Sequence, residues 1–143
     1  MAERLMKKVI KEKKLEGLKI SSRGLNATGE NIANNAKFAL KTYHVSSANR
    51  KSVKLGKIDK NTLYVTMTES QKNYIGSDKV ISFKSLIGED IPDPYGQDKE
   101  AYLACAKELL KGVNVLIEKI KLWRWKNDNI SKWPCGLFTK RGT

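Results

Sequence analysis

The chain has 143 residues, 40% hydrophobic and 30% charged, with only three prolines; this suits one folded domain and excludes a disordered polymer. No apolar run approaches the roughly 18 residues of a membrane-crossing helix, and the charged opening MAERLMKKVIKEKK has no apolar h-region, so no secretory leader is expected. The net charge of +13 comes mostly from scattered lysines without an arginine-rich tract or nucleic-acid fingerprint, which reads as a solvated surface and argues against a nucleic-acid partner.

Ala2 to Leu15 reads as a helix, with Leu5, Met6, Val9 and Ile10 on one face and lysines on the other. Lys19 to Ser22 is a short strand. After a loop containing Gly24 and Gly29, Asn31 to Tyr43 reads as a second helix with Thr28 and Asn31 as candidate caps. Its apolar positions include Ile32, Ala36, Phe38, Ala39 and Leu40. A loose segment spans Val45 to Lys60.

Asn61 to Met67 (NTLYVTM) is the strongest strand, and its near-continuous apolar character suits burial on both faces. Thr68 then opens a short helix to Ile75, with Gln71 placed as in a capping box. Lys79 to Phe83 is another strand. Lys99 to Leu122 is the longest helix, with an inner stripe from Tyr102 through Ala106, Leu109, Val113 and Ile117 to Ile120. Gly112 costs that helix about 1 kcal/mol relative to alanine. Residues 122–143 carry all three tryptophans and no period, and are expected to form an irregular basic tail.

Strands alternating with helices predict an α/β domain with a parallel sheet and helices on both faces. The series nevertheless opens on a helix, whereas such sheets normally open on a strand followed by a ligand-binding loop. The segment IPDPYGQDKEAY, from Ile91 to Tyr102, separates the third strand from the long helix. Asp93 before Pro94 is turn chemistry, because proline fixes φ and biases the residue ahead of it away from the helical region. The same residues also suit a carboxylic acid held on a loop for proton transfer.

Four segments in order resemble the low-molecular-weight protein phosphatases: MAERL, their first helix; ISSRGL, their second strand; TLYVTMTESQKNYI, their third strand and next helix; and DPYG, their acid loop. The resemblance covers roughly Met1 to Lys121. It implies a three-layer parallel sheet of that type, missing its first (central) strand, as a domain over 1–121 followed by the 122–143 tail. It also implies hydrolysis of phosphotyrosine or phosphoarginine in proteins through a cysteinyl-phosphate, without a cofactor or metal. Asp93 matches the catalytic acid and Tyr95 the aromatic lip that contacts substrate. A phosphorylated protein is the implied partner, with no membrane and a cytoplasmic location; oligomeric state is left open.

The family's Cys-x5-Arg loop belongs just ahead of the residues matching Met1 and Ala2, and is not found there. The resemblance therefore predicts a chain without phosphatase activity; the alternative is a non-catalytic basic domain that binds phosphorylated or anionic partners. It also predicts at most three strands, with a gap between Lys19–Ser22 and Asn61–Met67 that leaves unpaired edges and favours association. Cys135 to Arg141 (CGLFTKR) repeats the Cys-x5-Arg spacing, as a circular permutant would. Against it stand Pro134 in a poor preceding strand and the missing Gly-Asn turn. Cys105 reads as a small core or boundary residue, His44 as a loop or surface residue, and Arg23 as either a phosphate contact or a surface residue.

Overall fold

The structure, a computed structural model, describes residues 1–46, 51–126 and 135–140. The elements run α1 (Ala2–Glu12), β1 (Lys19–Gly24), α2 (Asn34–Thr42), β2 (Leu63–Thr66), α3 (Glu69–Ile75), β3 (Val80–Ser82), α4 (Phe83–Ile87), α5 (Lys99–Lys126) and β4 (Cys135–Lys140). The α/β class is that read from the sequence, and all three strand pairs are parallel. All three residues Tyr64, Val65 and Thr66 of β2 are buried, whereas burial alternates along β1. A strand covered on both faces differs in this way from one covered mainly on one.

Two expectations about the sheet and its tail are corrected. The sheet has four strands in the order β1-β4-β2-β3. The central place is filled by β4, which pairs with β1 from Lys19↔Cys135 to Gly24↔Lys140 and with β2 from Leu63↔Gly136 to Val65↔Phe138. The stretch taken as irregular after residue 121 thus contains the last turn of α5 and a strand. The physical reason is non-local. CGLFTK has little strand character by itself, but β1 and β2 each present an open ladder edge that a segment of any sequence able to extend can satisfy. Residues 127–134 and 141–143, including Pro134 and Arg141, lie outside the described residues.

Smaller differences have local causes. Phe83, read as the end of a strand, begins α4, because the Ser82 side chain accepts the Ser85 N–H (3.4 Å) as an N-cap. The second helix starts later than expected, with Ala33 as its N-cap and no side-chain cap; Thr28 is engaged instead with Glu30. The capping box of α3 is present as read: Thr68 Oγ1 accepts the Gln71 N–H (3.2 Å) and Gln71 Oε1 accepts the Thr68 N–H (3.3 Å).

The core lies where α5 packs on α1, α2 and α4. Leu5, Met6, Leu40, Val113, Leu116 and Ile117 are fully buried in it. Gly112 is needed there, since a Cβ at that position would lie 2.2 Å from the ring of Phe83. Glu3 joins α1 to β1: its carboxylate, 4% exposed, accepts Ser22 Oγ (3.0 Å) and Lys7 Nζ (3.1 Å). Phe38, expected inside, is 39% exposed and carries Lys99 Nζ 4.8 Å above its ring. Among the described residues no helix is long and apolar enough to cross a membrane.

Candidate functional site

A cavity of about 500 Å³ opens where β1 and β2 end. Gly24 closes one side, Met67 and Thr68 another, and Ala2 of α1 stands nearby; Asp93 lines its rim and Cys105 of α5 its wall. The location follows from parallel topology, because every strand of such a sheet releases its loop at the same edge.

The loop carrying Asp93 is fixed at both ends. At its start Ile91, 3% exposed, donates its N–H to Met67 O (2.9 Å), tying the loop to the end of β2. At its far end Asp98 Oδ1 accepts the Ala101 N–H (3.0 Å) and caps α5. Between them Pro94 O accepts the Gln97 N–H (2.9 Å) across a turn whose third residue, Gly96, has φ 78°. A side chain at that φ is strained, which is why glycine stands there. Asn35 Nδ2 reaches over from α2 to Gln97 O (3.0 Å).

Asp93 itself is exposed, and its Oδ1 accepts the Tyr95 N–H (3.0 Å). The turn and the acid are therefore compatible: the turn uses one lone-pair direction of the carboxyl group and aims the residue at the rim. Tyr95, 59% exposed, is on the same loop but outside the cavity wall. The exposed ring that does line the wall is Tyr74 of α3, 78% exposed. It was not singled out from the sequence, and no local signal marks it.

Cys105, read as a small core or boundary residue, is half-buried and also lines the cavity. It falls on the helix stripe with Tyr102 and Leu109, three and four residues away, and all three line the cavity. That spacing could have found it. Burial pushes its thiol up to about 11, the positive amino group of the chain lowers it, and the Asp93 charge raises it further.

Cys135 is not brought to the cavity. It pairs with Lys19, the first residue of β1, while Gly24 and Lys140 mark the cavity end. Five residue steps of about 3.3 Å separate the two ends by roughly 16 Å. The stretch with Cys-x5-Arg spacing is thus extended strand through Lys140, not an anion-wrapping loop.

Arg23 does not line the cavity; its guanidinium donates to the neighbouring Ser22 O (2.8 Å). His44 is exposed just past α2, at φ 57°. Glu30 is a wall residue that sequence reasoning missed. Its carboxylate accepts the hydroxyls of Ser52 and Thr28 and the Thr28 N–H (3.3 Å), and these bonds hold it well below the usual range, at about 2. Ser52 is distant in sequence, so no local pattern could have announced the pair.

The profile described as "Low molecular weight phosphotyrosine protein phosphatase" matches residues 1–124. The chain is 31% identical over 124 residues to a protein-arginine-phosphatase of Geobacillus stearothermophilus, covering 79% of this chain and 84% of the relative. Among solved structures it is similar to the YwlE arginine phosphatase of the same organism, with TM-score 0.76 and 30% identity over 88% of this chain and 86% of that one. It is also similar to a low molecular weight protein tyrosine phosphatase from Bacillus subtilis, with TM-score 0.72 and 26% identity over 86% of this chain and 89% of that one.

Proposed function

Because the chain belongs to the low-molecular-weight phosphotyrosine protein phosphatase family, we propose that it is a phosphatase-type domain with Asp93 as its proton donor, and that the 143-residue chain does not itself complete phosphoester hydrolysis. The reaction of its lineage requires a thiolate to attack phosphorus and an acid to protonate the departing group, after which water releases phosphate. Its substrate class is a phosphorylated protein side chain; the relatives' names include both arginine and tyrosine phosphatases.

The observation that carries this reading is the position of the two cysteines along the backbone, together with the burial of the Cys105 thiol. Cys105 reaches the cavity, but with its thiol held at about 11 only roughly one molecule in ten thousand is a thiolate at pH 7. It also projects from the interior of α5, where helical hydrogen bonds occupy the backbone N–H groups that would otherwise stabilise an anion. Cys135 starts β4 at the opposite sheet edge. The acid is supported by its own geometry: Asp93 is exposed on a loop pinned at both ends and lines the cavity rim. Tyr95, beside it and exposed, is proposed to contact the protein that carries the phosphoryl group.

The test is hydrolysis of a small aryl phosphate and of a phosphoarginine peptide at mildly acidic pH, by the chain and by its Cys105→Ser, Cys135→Ser and Asp93→Ala variants. No turnover above background is expected from any of them. Turnover lost in either cysteine variant overturns the proposal. Fusing a strand, a Cys-x5-Arg loop and a serine ahead of Met1 is expected to produce activity. Asp93→Ala should then lower it about 10²–10⁴-fold, the usual share of a general acid; an unchanged rate would remove Asp93 from the mechanism.

A further inference from the structure

Cations scattered along the sequence are gathered by helical spacing on α1. Arg4, Lys7, Lys8 and Lys11 stand three or four residues apart, which puts them on one side of the helix, opposite the buried Leu5, Met6 and Val9. Two of them are held in place by the end of α2. Arg4 Nη1 donates to Ser46 O (2.9 Å) and Lys8 Nζ to Tyr43 O (2.7 Å), where the helix dipole of α2 is negative. Lys7 and Lys11 are exposed. From Arg4 to Lys11 the helix rises by roughly 10 Å, the length of about three residues of extended peptide.

This stripe adjoins the cavity. Arg4 and the exposed Lys51 line a small hollow that shares Gly24, Ile32 and Ser52 with it. The acids beside the stripe are engaged: Glu3 is buried and holds Lys7 (3.1 Å), Glu12 lies 3.4 Å from Lys8, and Glu30 accepts the hydroxyls of Ser52 and Thr28. By sequence, residues 47–50, 127–134 and 141–143 hold Arg50, Lys132 and Arg141 against a single acid, Asp128. The positive sign of the stripe therefore rests on cations that are present.

We propose that the Arg4–Lys11 face of α1, with Lys51, is a docking surface for an acidic segment of the protein substrate, an extended run rich in Glu and Asp with one end at the cavity. This rests on the reading above that the substrate is a phosphorylated protein, and it names the chemistry that flanks the phosphorylated residue. Charge complementarity selects the occupant, and lysines on flexible stems meet carboxylates at varied spacing. A protein segment is favoured over a nucleic acid because α1 carries no aromatic residue on which bases could stack.

Binding to the full chain is measured by fluorescence anisotropy with a labelled short peptide of alternating Glu and Gly, its Gln counterpart, and a single-stranded oligonucleotide of the same charge. The Glu peptide should bind about tenfold more tightly than the Gln peptide at low salt, and the advantage should shrink as ionic strength rises to about 0.15 M. Lys11→Glu with Lys51→Glu should weaken it about tenfold, and Lys11→Gln with Lys51→Gln should give a smaller loss. The control is Lys60→Glu with Lys79→Glu, exposed residues that precede β2 and β3 at the sheet edge away from the cavity. It removes the same charge and should change binding less than about twofold. Equal losses in the two reversed pairs, equal binding of the Glu and Gln peptides, tighter binding of the oligonucleotide, or no saturable binding of any probe overturns the proposal. Turnover of an aryl phosphate would overturn the proposed function instead, so the two failures are separable.

Discussion

At the scale of single residues, Glu30 shows how a loop is held by one carboxylate. Its backbone N–H donates to Ser52 Oγ (3.0 Å) and its carbonyl accepts the Ser52 N–H (2.7 Å), while its side chain gathers the hydroxyls of Ser52 and Thr28. Hydrogen bonds to the charged form, from Ser52 first and then Thr28, lower the Glu30 pKa from 4.5 to about 2. The unfolded chain therefore takes up this proton at a higher pH than the folded one. The stabilising contribution is complete above about 4.5 and is lost as the pH falls toward about 2. Between pH 5 and 2 the wild-type chain should lose melting temperature more steeply than Glu30→Gln, measured by circular dichroism. Parallel pH profiles for the two would show that these bonds do not favour the charged form.

At the scale of elements, the contact between α4 and α5 depends on a missing side chain. Gly112 lies inside a long helix, where alanine would ordinarily be better by about 1 kcal/mol. Here the added Cβ would stand 2.2 Å from two ring carbons of Phe83, which is fully buried. Overpacking of this kind costs about 1–3 kcal/mol, which outweighs the helical gain in most of its range. Gly112→Ala is expected to destabilise by up to about 2 kcal/mol in chemical denaturation. Adding Phe83→Leu should cost less than the sum of the single changes, because the shorter side chain removes the clash. A more stable Gly112→Ala chain would mean that α4 can move aside freely.

At the scale of the whole molecule, β4 decides whether the sheet is one body. Without it β1 would have no described strand partner, and β2 would be left with β3 alone. Proline at Phe138, which pairs with Ser22 on one side and Val65 on the other, should break the ladder at its centre. Removing a ladder N–H and leaving its acceptor unpaired costs about 1–3 kcal/mol, which lowers the melting temperature by roughly 3–10 °C in a chain of this size. Phe138→Val, which keeps the N–H, should show a smaller loss. Equal melting of Phe138→Pro and the parent chain would remove β4 from the stable core. The association expected from an open central gap no longer follows, since the gap is filled.

The sequence alone determined what local chemistry controls. The stripe of α5, the capping box at Thr68, the doubly buried character of β2 and the turn at Pro94–Gln97 are each written in a few neighbouring residues. Resemblance across four such segments was enough to identify the family and to put Asp93 on a loop. Tertiary structure decided what depends on distant partners. CGLFTK became the central strand because two open sheet edges met it, and this placed Cys135 at the edge away from the cavity. Glu30 became a fixed charge because Ser52 was folded against it, and Gly112 became necessary because Phe83 arrived beside it.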